Sequence, residues 1–426
     1  MKIEIINTGS EIMLGRILNT HQQWLSRQLA DLGYIVTRQV SVADTGEDIE
    51  SAVRDGLSRA ELVITTGGLG PTSDDLTRQQ IAALVGAELI EDPEALRRIE
   101  RFFASRNRPM PGNTRVQALV PAGAQVIQNE HGTAPGLVLE VSGFAADGSK
   151  RCLVMLPGPP RELRPMFKNQ IAPLLRQRFP LNAAYVCHTY RTTGLGESQV
   201  EELIATPLEP LLKAGLIVGY CAQIGQVDVR LEARGPDAAQ LVESGGQVIQ
   251  QALPKYIFGV ADERLEDVVV RSLIERRQTL ACAESCTGGF LAHRVTNVPG
   301  ASAAFLGGVV SYSNQAKERL LGVRPETLAE HGAVSEAVAK EMAAGARAQF
   351  NADYALAVTG IAGPDGGTAA KPVGTVFIAL ATTEKATVLK RSYPYDRETF
   401  KYVTSQQALE LLRRRLNRSV SESGEE

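Results

Sequence analysis

The stretch Glu61–Thr77, "ELVITTGGLGPTSDDLT", decides how the first part of the chain folds. Leu62 to Thr66 is a short apolar and β-branched run without polar alternation, the pattern of a strand covered on both faces. It stops at Gly67-Gly68, turns again at Gly70-Pro71, and passes Thr72 and Ser73 into two adjacent acids. Upstream, "KIEIINTG" (Lys2–Gly9) reads as a strand. "NTHQQWLSRQLADLG" (Asn19–Gly33) reads as an amphipathic helix with Trp24, Leu25, Leu29 and Leu32 on one face. "YIVTRQVSV" is a second strand, and "GEDIESAVRDGLSRA" a helix striped by Ile49, Val53 and Leu57. This βαβαβ order predicts a doubly wound parallel α/β sheet with its site at the strand C-terminal ends.

The chain has 426 residues, 44% hydrophobic and 22% charged, with a formal net charge of -3. That length divides into about two to four domains. The charge announces no basic face, so no direct nucleic-acid partner is expected. No apolar run reaches the roughly 18 to 20 residues that span a bilayer, so no membrane partner is expected. The first residues lack the apolar core of a signal peptide. Five dispersed cysteines with no CxxC argue against a zinc site or a disulfide framework. A cytoplasmic, reduced protein is the expectation.

The doubly wound block is read as residues 1–172. A small α+β connecting unit over 173–258 follows, with the alternating strand "QVDVRLEARG" and no His/Asp/Cys constellation. Residues 259–418 form a second α/β block. It holds the strands "TLACAES", "AAFLGGVVSYSN" and "YALAVTG", the loop "IAGPDGGTAAKPVG", a hairpin and a last helix from Arg397 to Arg415. Residues 419–426 read as a polar tail.

Two stretches carry chemistry. In "AESCTGG" (Ala283–Gly289) a strand runs into a turn, and Thr287-Gly288-Gly289 is expected to open a helix. Free amides there can hold an oxyanion or a phosphate. The nucleophile is Ser285 or Cys286. No histidine is placed to serve as base, but Tyr312 and Lys317 in "SYSNQAK" offer a lysine base with a tyrosine relay. The bland alternative is a solvated lysine in the first turn of a helix. Thr359, Gly360 and Gly363, in "TGIAGPDGG", offer backbone amides to a phosphate, or are part of a simple loop. In the first block, Gly67 and Gly68 can cradle phosphate oxygens. Asp74 and Asp75 are hard oxygen ligands for a divalent ion on a diphosphate. The alternative is that Ser73 or Asp74 only caps the next helix.

The motifs "AESCTGG", "GGVVSYSNQAKERLLGV", "GAVSEAVA" and "AVTGIAGPDGGTAAKPVGTVFIAL" resemble the C-terminal domain of the CinA family, a nicotinamide-nucleotide amidohydrolase. The resemblance implies hydrolysis of nicotinamide mononucleotide to nicotinate mononucleotide and ammonia, with no metal. It implies Ser285 as nucleophile, Lys317 as base and Tyr312 assisting. Cys286, Thr287, Gly288 and Gly289 then shape the substrate turn, the amides of Cys286 and Thr287 as oxyanion donors. "TGSEIMLGRILNT", "TTGGLGPTSDDLT", "NEHGTAPGL" and "LPGPPREL" are similar to the molybdopterin-binding fold of the MoaB/MogA type at the N-terminus of CinA proteins. That likeness implies hydrolysis of ADP-ribose to AMP and ribose 5-phosphate with a divalent metal (Mg, Mn or Co). Glu11, Asp74 and Asp75 would lie near the metal, and Gly67, Gly68, Thr133 and Gly158 would line the pocket. His21 and Thr45 stand where that family has asparagines. The connecting unit matches the family's KH-like module by position, but lacks a GXXG loop with flanking basic residues. A homodimer is implied. Other readings are a molybdopterin-related binding protein, or a non-enzymatic factor of DNA uptake.

Overall fold

The structure is a computed structural model and describes residues 1–181 and 183–421. It divides into two compact units, Met1–Tyr185 and Val186–Glu426. The polar tail expected at 419–426 begins inside the last helix, which runs to Ser421. Residues 422–426 lie outside the described residues.

In the first unit β1 (Ile3–Thr8), α1 (Thr20–Asp31), β2 (Val36–Val42), α2 (Gly46–Arg59) and β3 (Leu62–Thr66) follow the expected order. β4 (Gln125–Ile127), β5 (Gly136–Val141) and β6 (Arg151–Leu156) complete one sheet in the order β2-β1-β3-β6-β5-β4. β2, β1, β3 and β6 are parallel. β5 runs antiparallel to both its neighbours, β6 and β4, so the sheet is mixed rather than wholly parallel. The reason is local: β5 and β6 are joined by a hairpin connection, with no crossover helix to reverse the chain. Apolar residues cover both faces. Leu25 and Leu29 of α1 pack with Ile3, Ile5 and Ile64, whereas Ile49, Val53 and Leu57 of α2 pack with Ile6 and Val63. Alternate residues of the same buried strands thus feed two cores, which explains their unbroken apolar runs.

In the second unit β7 (Tyr185–Thr192), α3 (Glu197–Lys213), β8 (Ile217–Gln223), β9 (Gln226–Arg234), α4 (Ala238–Ala252) and β10 (Ile257–Val260) build a four-stranded sheet of order β8-β9-β7-β10. Val200, Ile204 and Val242 of its helices share a core with Val229 and Leu231.

The remainder is a five-stranded sheet. Its strands are β11 (Leu280–Glu284), β12 (Phe305–Val310), β13 (Tyr354–Gly360), β14 (Thr375–Ala381) and β15 (Ala386–Ser392), in the order β12-β11-β13-β14-β15. β12, β11 and β13 are parallel, and β14 and β15 form the expected antiparallel hairpin. β11 is therefore a central parallel strand, and its C-terminal end is where a doubly wound sheet places a site. The last helix, Arg397–Ser421, buries Phe400, Leu409 and Leu412 against this sheet. Among the described residues no helix is long and apolar enough to cross a membrane.

Candidate active site

Ser285 follows β11 directly and is pinned on both sides. Its amide donates to Val358 O at 3.0 Å, and the Ser311 amide donates to Glu284 O at 2.8 Å. The chain then turns through Gly288 (φ 62) and Gly289 (φ 97), conformations that only glycine takes without strain. The helix expected to open at Thr287 begins later, at Phe290, and ends at Thr296. Glu284 accounts for the delay. Its buried carboxylate accepts from Thr287 Oγ1 at 2.6 Å, Gly289 N at 3.0 Å, Leu291 N at 3.0 Å and Ala292 N at 2.8 Å. The amides at the helix start are therefore occupied. The amides of Cys286 and Thr287 lie at the Cys286 sulfur.

Lys317 sits in the short helix Asn314–Leu321, which Ser313 caps by accepting from Ala316 N at 3.1 Å. Gly345 of the next long helix lets that helix approach Leu321 O so closely that a Cβ would stand 1.9 Å away. Lys317 ends up 1% exposed, not solvated. Its Nζ lies 3.1 Å from Ser285 Oγ, 2.9 Å from Ser311 O and 3.4 Å from Tyr312 O. Burial pushes its pKa down from the usual lysine value. A neutral amine here donates to the two carbonyls and turns its lone pair to the Ser285 hydroxyl. Burial drives the Cys286 thiol up to about 12, so it stays protonated and a poor nucleophile.

Tyr312 departs from the expected relay. Its side chain is 62% exposed, and its hydroxyl accepts from Arg397 Nη2 at 2.8 Å. What it offers Lys317 is its carbonyl. Arg397 was not singled out in the sequence; its other nitrogen, Nη1, donates to Gly363 O at 2.8 Å and so ties the glycine loop to Tyr312. Thr359, expected to face a phosphate, is buried and donates its hydroxyl to Ala333 O at 2.8 Å. Gly360 is a packing residue, since a Cβ there would lie 2.8 Å from Thr375 O.

The first unit holds a cavity of about 550 Å³ at the C-terminal ends of β1, β3 and β6. Gly67, Gly68, Thr133 and Gly158 all line it, as do Glu11, Asp74 and Asp75. Gly67 (φ 98) and Gly68 (φ 66) take the left-handed region, and a Cβ on Gly68 would meet Thr77 Oγ1 at 2.0 Å. The Gly67 amide is taken by Leu156 O, so donors for a phosphate begin at Gly68.

The three acids do not form a cage. Among the described residues no group of three His, Cys, Asp or Glu side chains is placed to hold an ion. Asp75 closes its own loop, accepting from Thr72 N at 2.9 Å and from the Thr72 hydroxyl. Asp74 is exposed, and the nearby Thr72 side chain, with the Asp74 amide, holds its carboxyl below the usual range. The donor set still suits a hard cation of the Mg²⁺ type, which takes one or two carboxylates and completes its shell with water and substrate phosphate. His21 bonds through Nε2 to Gly158 O, which assigns the proton to Nε2; its Nδ1 is buried without a partner. Burial, with Arg164 nearby, lowers its pKa. Thr45 caps α2, accepting from Asp48 N at 3.2 Å, the task an asparagine would perform there.

The two arrangements define an α/β protein with a serine–lysine pair in one unit and a glycine- and acid-lined cavity in the other. Comparison with known proteins places it further. The molybdopterin binding domain family matches residues 4–177, the damage-inducible protein CinA KH domain 188–259, and the CinA C-terminal domain 262–416. A competence-damage inducible protein of Moorella thermoacetica is 44% identical, covering 98% of this chain and 99% of its own. A CinA-like protein of Akkermansia muciniphila is 42% identical over 96% of each chain. A solved competence damage-inducible protein A from Klebsiella pneumoniae is 41% identical over 36% of this chain and 95% of that one, with a TM-score of 0.35. The chain belongs to the CinA family of competence-damage inducible proteins.

Proposed function

We propose that the second unit is an amidase acting on nicotinamide mononucleotide. The observation that carries this reading is the buried Lys317 Nζ at 3.1 Å from Ser285 Oγ, with lowered pKa. Ser285 Oγ attacks the carboxamide carbon and gives its proton to neutral Lys317. The oxyanion takes the amides of Cys286 and Thr287. Lys317 then protonates the leaving nitrogen, ammonia departs, and the nicotinoyl ester remains on Ser285. Water repeats the sequence, giving its proton to Lys317 and releasing nicotinate mononucleotide. The chemistry asks for no metal. Ammonia release from nicotinamide mononucleotide tests it: wild type active and Ser285→Ala inactive is the expected pair. An active Ser285→Ala with an inactive Cys286→Ala would move the nucleophile.

A second activity is supported by the cavity of the first unit: metal-dependent hydrolysis of ADP-ribose to AMP and ribose 5-phosphate. The Gly68 turn and the carboxylates of Asp74, Asp75 and Glu11, all lining the cavity, suit a diphosphate with its cation. Asp74, Asp75 or Glu11 would hold Mg²⁺, Mn²⁺ or Co²⁺, which would supply charge neutralisation at the phosphates. AMP release that survives a chelator would remove this reading. A homodimer belongs to the same proposal, and a monomeric mass by light scattering would remove it.

A further inference from the structure

Glu162 is a carboxylate of the N-terminal cavity to which the reading above gives no task. It stands in the first turn of the helix Pro160–Met166 and is 7% exposed. Its Oε2 accepts from Asn129 Nδ2 at 2.8 Å. Asn129 is itself fixed, donating to Ala134 O at 2.8 Å and accepting from His131 N at 3.0 Å. The backbone closes on the carboxylate at Gly132, where a Cβ would lie 2.0 Å from Oε2. The other oxygen, Oε1, also faces Gly132, and the exposed Arg161 holds its Nε 3.8 Å away, beyond hydrogen-bond reach. One oxygen is thus held by a built cradle, and the other keeps its lone pairs.

Burial lifts the Glu162 carboxyl above the usual range, against the opposing pull of Asn129, Arg161 and His131. The other titratable groups on the cavity wall are His21, Glu11, Asp44, Asp74 and Asp75. None matches it as a base. Asp75 is engaged by Thr72, Asp44 accepts from Ser10 N at 2.8 Å, and Asp74 is held below the usual range. Glu11 is exposed, and His21 is held by Gly158.

We propose that Glu162 is the general base of this cavity, positioned by Asn129 and Gly132. The proposal rests on the ADP-ribose reading. Water attacks one phosphorus of the diphosphate, and its proton passes to Glu162 Oε1 as the new O–P bond forms. The bridging P–O bond breaks, its electron pair leaving on the second phosphate. The products are AMP and ribose 5-phosphate, and Glu162 returns the proton to solvent.

The test is steady-state AMP release from ADP-ribose, with Mg²⁺, Mn²⁺ or Co²⁺, across pH for wild type, Glu162→Gln and Asn129→Ala. Glu162→Gln is expected to lower kcat by about 100-fold or more with KM little changed. Asn129→Ala removes a donor that favours the charged carboxylate, so the acid limb of kcat should move to higher pH while the plateau survives. A Glu162→Gln enzyme with wild-type kcat overturns the proposal, as does an unmoved acid limb in Asn129→Ala. The second variant decides alone if the first fails to fold. A wild type that releases no AMP with any of these metals defeats the substrate reading, and the role of Glu162 falls with it. A working wild type matched by Glu162→Gln defeats the base assignment only.

Discussion

Lys317 Nζ stands 3.1 Å from Ser285 Oγ while Ser311 O holds the same nitrogen at 2.9 Å. The lysine is anchored by a backbone carbonyl, so its aim at the serine does not depend on a neighbouring acid.

Amidase activity should follow the deprotonation of Lys317. Burial lowers its pKa below 10.5 and favours the neutral amine. The base is protonated and inactive below that folded pKa, so kcat/KM should rise with pH through it. The sign for stability is the same. Between the folded pKa and the unfolded value the unfolded chain binds the extra proton, so this residue's contribution rises with pH across that window. Lys317→Met should cut kcat by about 100-fold or more. A flat pH–rate profile from acid to alkaline pH would contradict the assignment.

Glu284→Ala should destabilise the second unit by about 3 kcal/mol or more, because four donors, two of them buried, lose one carboxylate. Urea unfolding measures it. Glu284→Gln should cost less, since its amide oxygen still accepts. A loss under about 1 kcal/mol in the alanine variant would mean that water replaces the carboxylate.

Tyr312→Phe and Arg397→Ala should be coupled. Both remove the same 2.8 Å bond, which ties Tyr312 to the loop at Gly363. A double-mutant cycle on kcat/KM should show the pair of changes costing less than their sum. Strict additivity would show that the bond does not matter for turnover.

Gly68→Ala should destabilise the first unit by about 1 kcal/mol or more, since φ is +66 and the new Cβ meets Thr77. Thermal melting reports it. An unchanged melting temperature would place the turn in another conformation.

Asp75→Ala should abolish AMP release from ADP-ribose, as should a chelator. Its carboxylate both faces the cavity and closes the Thr72 turn. Metal-independent AMP release by this variant would contradict its assignment.

Much of this fold was legible in local pattern. β3 and the stripe Ile49, Val53, Leu57 could be read because burial on two faces removes polar alternation, and burial on one face leaves a helical period. Gly67 and Gly68 could be read because they follow a strand end, whereas Glu11, Thr133 and Gly158 were implied only by the family resemblance. The antiparallel β5 could not, because pairing direction depends on how the chain returns, not on the composition of the strand. The arrangement of the three acids was illegible for a related reason. Adjacency of Asp74 and Asp75 in sequence says nothing of where each carboxylate points, and Asp75 spends its oxygen on Thr72.

Residue order alone determined the element sequence and the glycine turns, since these depend on side-chain size, polarity and period over short spans. The burial of Cys286 and Lys317, the capping work of Glu284 and the link from Tyr312 through Arg397 to Gly363 were decided only by tertiary structure. Each depends on desolvation or on a contact between distant segments, and neither quantity exists until the chain has packed.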